Sequence, residues 1–191
     1  MDDMTERAIE YINALFASDS GGHDAEHSLR VYRNTLRIAE NEPGCELRIA
    51  ALAALLHDAD DPKLFDTGGN ANARAFLEAS GVPAEDIERI CGAINSVSFS
   101  SNRDKAPASP EAAAVRDADR LDAMGAVGIA RTFAYGGSKG RPMSESLRHF
   151  HDKLLLLKDM MVTETGKRLA EDRHEFLEAF LREYEKETEE Q

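Results

Sequence analysis

Helical periodicity is the sequence feature that most constrains the fold. Apolar residues recur every three or four positions along almost the whole chain, and the two-residue alternation of a half-buried strand is absent. We expect helices at residues 4–17, 24–40, 46–58, 70–79, 84–97, 110–134, 145–161 and 165–188. The length of 191 residues suits one core. The sequence therefore predicts a single all-α domain, a bundle of about seven or eight helices over residues 1–191.

Glycine, proline and polar runs separate the predicted helices. Gly21 and Gly22 precede the second helix, for which Asp24 is the expected N-cap. Loops are expected at residues 61–70, 98–108 and 135–142. No linker is long enough to divide the chain into two domains, and the C-terminal end is a charged tail.

The charge and the cysteines limit the function classes. The net charge of -13 disfavours binding to nucleic acid or to anionic membranes, since both would be repelled. It does not exclude a small anionic substrate, because a few local cations override the global field. Cys45 and Cys91 lack a CxxC spacing and are expected to be reduced. With an acidic N-terminus unlike a signal peptide and no apolar stretch of spanning length, these features favour a soluble, cytoplasmic protein.

Three His-Asp pairs occur in the chain, and their contexts differ. They are His23-Asp24, His57-Asp58 and His151-Asp152. The second pair ends the apolar run AALLHDADDPK, so an imidazole and a carboxylate meet at the end of a buried helix, where both can reach one ion. The alternative is a helix-terminal histidine favoured by the helix dipole, beside a solvated aspartate. The third pair is interpreted as a helix-surface pair, and His23 stays a candidate by position.

Further candidate ligands lie on either side of the second pair. Upstream, His27 and Arg30 are three residues apart and share a helix face, although a core histidine and a surface arginine would fit as well. Downstream, Asp117, Asp119 and Asp122 lie in an Ala- and Gly-rich helix. Buried carboxylates are costly unless they are paired or bound to a metal, so these three favour a site over a solvated face.

The order of these motifs resembles that of the HD-domain metal-dependent phosphohydrolases. The motifs HSLRVYRN, AALAALLHDADDPK, RDADRLDAMGAVGIARTFAYGG and HFHDKLLLLKDMM are similar to a YpgQ/YedJ-like bacterial branch over about residues 20–182. The resemblance implies an all-helical HD domain with one divalent metal ion, Mn or Mg foremost, with Fe, Co, Ni or Zn as alternatives. It implies as ligands His27, His57, Asp58 and Asp119.

Within DADRLDA, the resemblance favours Asp119 as the ligand, because the family's aspartate follows an alanine as in Ala118-Asp119. Asp122 would then hold a ligand or a cation, and Asp117 would cap or pair with a neighbouring helix. Helical phase alone does not decide between Asp117 and Asp119.

The resemblance also implies a substrate class. We expect hydrolysis of a small phosphorylated substrate, foremost a nucleoside triphosphate cleaved to monophosphate and pyrophosphate, by a monomer or homodimer. The alternatives are a nucleoside monophosphate phosphatase, a non-catalytic metal- or nucleotide-binding module, and a di-iron oxygenase relative. No histidine lies between Asp58 and Asp119, which disfavours the two-metal branches.

Phosphoryl transfer needs cations on the phosphate oxygens. The candidates are Arg30, Lys63, Arg120, Arg131, Lys139 and Arg141. Lys63 is the candidate catalytic cation, because it closely follows the His57-Asp58 pair. Asp61 is the candidate general acid or base by the same position, with the capping of an Asp-Pro turn as the alternative.

Overall fold

All regular elements in the described part of the chain are helices. The computed structural model describes residues 2–17, 25–97, 102 and 105–188, and contains no strand there. The α-helices in these ranges are α1 (Asp3–Leu15), α2 (Ala25–Ala39), α3 (Leu47–Leu56), α4 (Ala71–Ala79), α5 (Ala84–Asn95), α6 (Pro110–Asp122), α7 (Gly125–Ser138), α8 (Met143–Asp152) and α9 (Glu164–Thr188). Two short 3-10 turns, Leu154–Leu156 and Lys158–Met160, lie between α8 and α9. The all-α prediction is confirmed.

The chain clusters into two compact units, Met1–Asp119 and Arg120–Gln191. The boundary falls inside α6. That residues 1–191 form a single domain stays a prediction. None of the described helices combines the length and the apolar character that a membrane span requires.

Helix α3 is the centre of the first unit. Every residue from Ile49 to Leu56 is buried, and α1, α2 and α5 all contact this helix. A helix that is apolar on all sides is stable only when it is surrounded, and burying each large side chain contributes roughly 1.5–3 kcal/mol. The helix ends at Leu56 and His57 follows it, so this buried helix leads directly to the predicted site.

Helices α7, α8 and α9 form the second unit. Phe150 of α8 is fully buried and stacks on Phe180 of α9, with ring centroids 5.7 Å apart. Phe133 of α7 joins them, 5.9 Å from each of the two rings. Helices α7 and α8 approach closely at Gly136, where an added Cβ would lie 2.3 Å from Ser146 Oγ. A side chain at position 136 would therefore require the Ser146 hydroxyl group to rotate away.

The helix predicted over residues 110–134 is wrong in its boundaries. It is two helices, because Gly125, the first residue of α7, has φ +64°, a left-handed conformation that does not continue the right-handed helix before it. Met124 before it is extended, with φ -114° and ψ 168°. The second of these helices also runs on to Ser138, so the break expected at residue 135 lies inside it.

Two other boundaries differ from the sequence prediction. The helix predicted over residues 145–161 begins at Met143 and ends at Asp152, because Lys153 leaves helical geometry with φ -141° and ψ -57°. The expected N-cap Asp24 and the Gly21-Gly22 break lie outside the described residues, as does part of the predicted 98–108 loop.

Candidate metal centre

Four side chains from three segments of the first unit meet at the end of α3. His27 Nε2 lies 3.2 Å from His57 Nε2, 3.5 Å from Asp58 Oδ2 and 3.4 Å from Asp119 Oδ1. His57 Nε2 in turn lies 3.4 Å from Asp58 Oδ1 and 3.9 Å from Asp119 Oδ1. Ligand atoms of His27, His57 and Asp119 all lie within 4.8 Å of one another. The structure thus brings together the four residues that the resemblance implied as ligands.

The packing of the helices explains this convergence. His27 lies in the first turn of α2, on the face that is buried against α3. His57 follows the last residue of α3 and keeps helical backbone angles, and Asp58 comes next. Asp119 projects from α6. The side chains of both histidines are almost completely buried, at 4% and 2% exposure, while Asp119 keeps 30% of its side-chain surface in contact with solvent.

The tautomer of His57 follows from its second ring nitrogen. Nδ1 lies 2.8 Å from the carbonyl oxygen of Ala54. A carbonyl oxygen only accepts hydrogen bonds, so Nδ1 carries the proton and the lone pair of Nε2 points into the cluster. A backbone partner of this kind is typical of metal-binding histidines, because it fixes both the tautomer and the ring orientation.

The cluster keeps Asp119 ionised. Burial raises the pKa of this carboxyl group, as does the neighbouring charge of Asp58. The hydrogen bond with His27, together with the positive charge that either histidine carries when it is protonated, outweighs both effects, so the pKa of Asp119 lies below its ordinary value. A metal ligand must be deprotonated, and this environment favours that form.

The separations between these atoms fit one coordination sphere. Two ligand atoms about 2.1 Å from an ion are roughly 3.0 Å apart at a right angle and roughly 3.4 Å apart at a tetrahedral angle. The pairs that involve the two imidazoles are 3.2–3.9 Å apart. Two imidazole nitrogens with carboxylate oxygens suit a divalent transition metal. The residues therefore fit a single divalent ion.

Asp117 is not part of this group of ligand atoms among the described residues. It is completely buried. It also lies close enough to the buried Arg116 for its charge to raise the pKa of that guanidinium, an effect that is smaller than the lowering by burial. Arg116 belongs to the same helix as Asp117, so the predicted pairing of Asp117 with a neighbouring helix stays a prediction.

Asp61 and Lys63 lie on the loop that follows the His57-Asp58 pair. Asp61 Oδ1 accepts a hydrogen bond of 2.8 Å from the backbone nitrogen of Lys63, so this aspartate does cap its turn. Its Oδ2 lies 4.0 Å from Lys63 Nζ, and the lysine side chain is 72% exposed. The general acid or base role of Asp61 and the catalytic role of Lys63 stay predictions.

The other predicted phosphate-binding cations have protein partners. Arg30, on α2, lies 3.7 Å from Glu26. In the second unit, the buried Arg120 donates to the carbonyl oxygen of Met160, and Arg131 pairs with the buried carboxylate of Asp122. Asp122 therefore holds a cation, as the sequence suggested.

Lys139 and Arg141 both lie over the exposed ring of Tyr135, with their charged groups 5.7 Å and 5.3 Å from its centroid. Arg141 also pairs with Glu145 at 3.3 Å. That these two cations contact phosphate stays a prediction.

The third His-Asp pair, at residues 151–152, is not part of the cluster. His151 and Asp152 are exposed at the end of α8, as expected for a helix-surface pair. His23 lies outside the described residues.

Sequence reasoning missed Asp60 and Asn72. Asp60 accepts hydrogen bonds from the backbone nitrogens of Asn72 and Ala73, which begin α4. Capping patterns are recognised over three or four neighbouring residues. A cap supplied from twelve residues upstream has no such local signal.

Comparison with known proteins identifies the family. The model of the HD domain family matches residues 24–124, a range that contains all four residues of the cluster. The chain belongs to the HD domain family. Membership of this family gives the activity class. The protein is a metal-dependent phosphohydrolase of the HD type.

Similar proteins cover nearly the whole of this HD-domain chain. The YpgQ protein of Bacillus subtilis (strain 168) is 41% identical over 189 residues, which are 95% of this chain and 92% of YpgQ. The crystal structure of YpgQ in complex with ADP has a TM-score of 0.83 at 38% identity, and covers 97% of this chain and 98% of its own. An HD-superfamily hydrolase from Bacillus thuringiensis has a TM-score of 0.80, also at 38% identity, over 98% of this chain and 97% of its own.

Proposed function

We propose that the protein hydrolyses nucleoside triphosphates to monophosphate and pyrophosphate, with one divalent metal ion held by His27, His57, Asp58 and Asp119. The observation that carries the proposal is the convergence of two imidazoles and two carboxylates: the two imidazole nitrogens lie 3.2 Å apart, and each lies 3.4–3.9 Å from an oxygen of both carboxylates. The ADP bound to the similar YpgQ supports a substrate with a nucleoside polyphosphate group.

The donor set favours a transition-metal ion over magnesium. Magnesium is usually bound by oxygen atoms alone and keeps several water molecules, whereas imidazole nitrogens suit the later divalent ions. In the first unit, two of the four candidate donors are imidazoles. We therefore propose Mn as the first metal to test, with Fe, Co, Ni and Zn as further candidates.

Residues of the protein would hold the metal ligands in the orientation and the charge state that the reaction needs. A bound divalent ion supplies two effects: it lowers the pKa of a water molecule and neutralises charge on the phosphate. The hydrogen bond from His57 to Ala54 keeps that ring in the orientation needed for binding. The lowered pKa of Asp119 keeps its carboxylate charged.

The cations would act on the substrate. Lys63 is 72% exposed, so its ammonium can turn toward an anionic substrate. Arg30 lies one turn after His27 on the same helix. Asp61 would move a proton through the Oδ atom that does not cap the turn. Arg120, Arg131, Lys139 and Arg141 are proposed as further substrate contacts.

The remaining proposals concern the partners, the location and the oligomeric state of the protein. The net charge of -13 supports a free nucleotide as the substrate, with neither nucleic acid nor a membrane as a partner. Cys45 and Cys91 are both free thiols, which supports a cytoplasmic location. We propose a monomer or a homodimer.

The test is a product analysis. Purified protein with Mn is incubated with nucleoside and deoxynucleoside tri-, di- and monophosphates, and phosphorus NMR separates pyrophosphate from orthophosphate. We expect triphosphates to yield monophosphate and pyrophosphate, and the His57→Ala variant to lose both activity and metal while its helical circular dichroism is kept. Orthophosphate released from monophosphates would instead identify a nucleotidase. Bound Mn without turnover of any nucleotide would identify a non-catalytic module.

A further inference from the structure

Three hydrogen bonds join the chain just after Asp58 to the start of α4. Asp60 Oδ1 accepts from the backbone nitrogen of Asn72 at 2.9 Å, and Asp60 Oδ2 accepts from that of Ala73 at 3.1 Å. In return, the side-chain amide of Asn72 donates to the carbonyl oxygen of Ala59 at 2.8 Å. The two segments are twelve or thirteen residues apart in sequence, so these bonds are tertiary contacts and belong to no local turn.

The cap of α4 is supplied by a remote residue. Asn70 occupies the position before the helix, where a side chain normally caps it, but it makes no such bond. Its backbone is left-handed, with φ +59°, and its side chain instead donates to Asn95 Oδ1 on α5 at 3.1 Å. Asp60 therefore satisfies the free backbone donors of α4, and its negative charge lies at the favourable end of the helix dipole.

The remote cap and two backbone turns hold the chain around Asp58. One turn spans this residue, because the backbone nitrogen of Ala59 donates to the carbonyl oxygen of Leu56 at 3.0 Å, which joins Asp58 to the end of α3. After it, the carbonyl oxygen of Asp58 accepts from the backbone nitrogen of Asp61 at 3.1 Å. The three bonds to α4 hold Ala59 and Asp60, between these two turns. Asp58 is thus fixed by α3 on one side and by α4 on the other.

The same bonds close the loop of residues 61–70. One end of this loop is held by Asp60 and Asn72, and the other by the bond from Asn70 to Asn95. Between the ends, Phe65 packs near Phe16, which follows the last residue of α1, with ring centroids 6.1 Å apart. A loop of this length whose ends meet and whose side chains pack inward holds its exposed residues in place. Asp61 and Lys63 are on this loop.

We propose that Asp60 and Asn72 are positioning residues, which form a clamp that sets Asp58 for metal binding and orders the loop of Asp61 and Lys63. The proposal rests on the proposed function in one respect, the role of Asp58 as a metal ligand. Neither clamp residue needs to touch the metal or the substrate. Groups that orient a metal ligand from behind typically change metal affinity by about 10- to 100-fold when they are removed.

Three variants test the clamp. Asp60→Ala removes both acceptors, and Asn72→Ala removes only the donor to Ala59, so that one remains informative if the other does not fold. Leu77→Val is the matched control, because Leu77 is a completely buried residue of α4 that takes no part in the clamp. It weakens the packing of the same helix and leaves the three hydrogen bonds in place.

Two measurements are made on each protein. The first is the affinity for Mn alone, from the free-ion signal in electron paramagnetic resonance. The second is hydrogen exchange, without metal, at the amides of Leu64 and Phe65, both of which donate to the carbonyl oxygen of Asp61 at 2.9 Å. The exchange measurement does not depend on metal or substrate, so it separates a failure of the clamp from a failure of the proposed function.

For Asp60→Ala we expect a Kd for Mn that is about 10- to 100-fold higher, together with faster exchange of both amides. Asn72→Ala should shift both quantities in the same direction by less. Leu77→Val should lower the melting temperature while it leaves the Kd and the loop exchange near their wild-type values. Unchanged affinity in Asp60→Ala, or an equal loss of affinity in Leu77→Val, would overturn the positioning role. Unchanged exchange would overturn the ordering of the loop.

Discussion

At the scale of single residues, the candidate site depends on which atom of each side chain faces the cluster. His57 presents Nε2 because Ala54 occupies its Nδ1. Asp119 presents Oδ1 to both histidines, at 3.4 Å from His27 Nε2 and 3.9 Å from His57 Nε2. The motif order in the sequence predicted these residues through the family resemblance. It could not supply the hydrogen bond to Ala54, because the backbone partner of a side chain depends on its rotamer.

The two aspartates of DADRLDA should separate metal binding from stability. Asp119→Asn removes a charged ligand atom, so we expect it to lower Mn affinity by at least tenfold with a small effect on stability. Asp117→Asn alters a completely buried carboxylate, so it should lower the free energy of unfolding by about 1–3 kcal/mol and keep the metal. Metal analysis and urea unfolding of both variants check this. Greater metal loss in Asp117→Asn would contradict the assignment.

Lys63 and Lys139 should differ in their kinetic effects. If Lys63 donates to a phosphate in the transition state, Lys63→Ala removes a charge-assisted hydrogen bond worth roughly 1.5–3 kcal/mol, so kcat/KM should fall about ten- to hundredfold. Lys139 lies over Tyr135, and its removal should act mainly on KM, because a surface cation attracts substrate and transition state alike.

Steady-state kinetics at saturating Mn, on a nucleoside triphosphate, distinguish the two lysines. Metal content measured on the same samples serves as the control, since neither substitution removes a candidate ligand. If kcat/KM for Lys63→Ala equals that of the wild type, this lysine does not contact the substrate.

At the scale of elements, the sequence located the helices better than their ends. Helix α3 was predictable because its apolar run has no polar face, and its ending at the His57-Asp58 pair was visible as a change in composition. The break between α6 and α7 was not, because alanine and glycine continue the apolar pattern through it. A helix boundary set by the left-handed backbone of Gly125 is a property of φ, which composition does not reveal.

Gly125 and Gly92 provide a matched test of this boundary. Gly125→Ala places a side chain on a left-handed residue, and its Cβ would lie 3.2 Å from Arg173 Cγ. We expect a loss of about 1–2 kcal/mol of stability. Gly92 lies inside α5 with no atom within 4 Å of an added Cβ, so Gly92→Ala should stabilise by about 0.5–1 kcal/mol. Urea unfolding measures both, and a loss in the second variant would refute this account of the first.

At the scale of the whole molecule, a chain with a net charge of -13 has to bind both a cation and an anionic substrate. The global field attracts a divalent metal and repels a nucleotide. The two imidazoles and the nearby basic residues therefore have to attract the metal and the substrate at short range, because salt screens the field of distant charges. At physiological salt this screening distance is about 8 Å.

Salt should weaken metal binding as a result. The screening distance falls from about 30 Å at 0.01 M salt to about 10 Å at 0.1 M. We therefore expect the Kd for Mn to rise severalfold over this range, because the attraction exerted by distant carboxylates is lost. Titrations with Mn alone at constant pH, using salts of two different anions, check the effect. A Kd that does not change with ionic strength would show that only the local ligands matter.

The loop of residues 61–70 also bears on how this protein can change over time. Its two ends are hydrogen-bonded to residues of α4 and α5. The length of the loop can therefore change without a change in the segments that carry the candidate ligands. Doubling the length of such a loop adds only about 0.6 kcal/mol of closure entropy. No atom lies within 4 Å of an added Cβ at Gly68 or Gly69. New side chains inserted there would meet solvent first, so this loop can change in length and sequence while the framework of the candidate ligands stays intact.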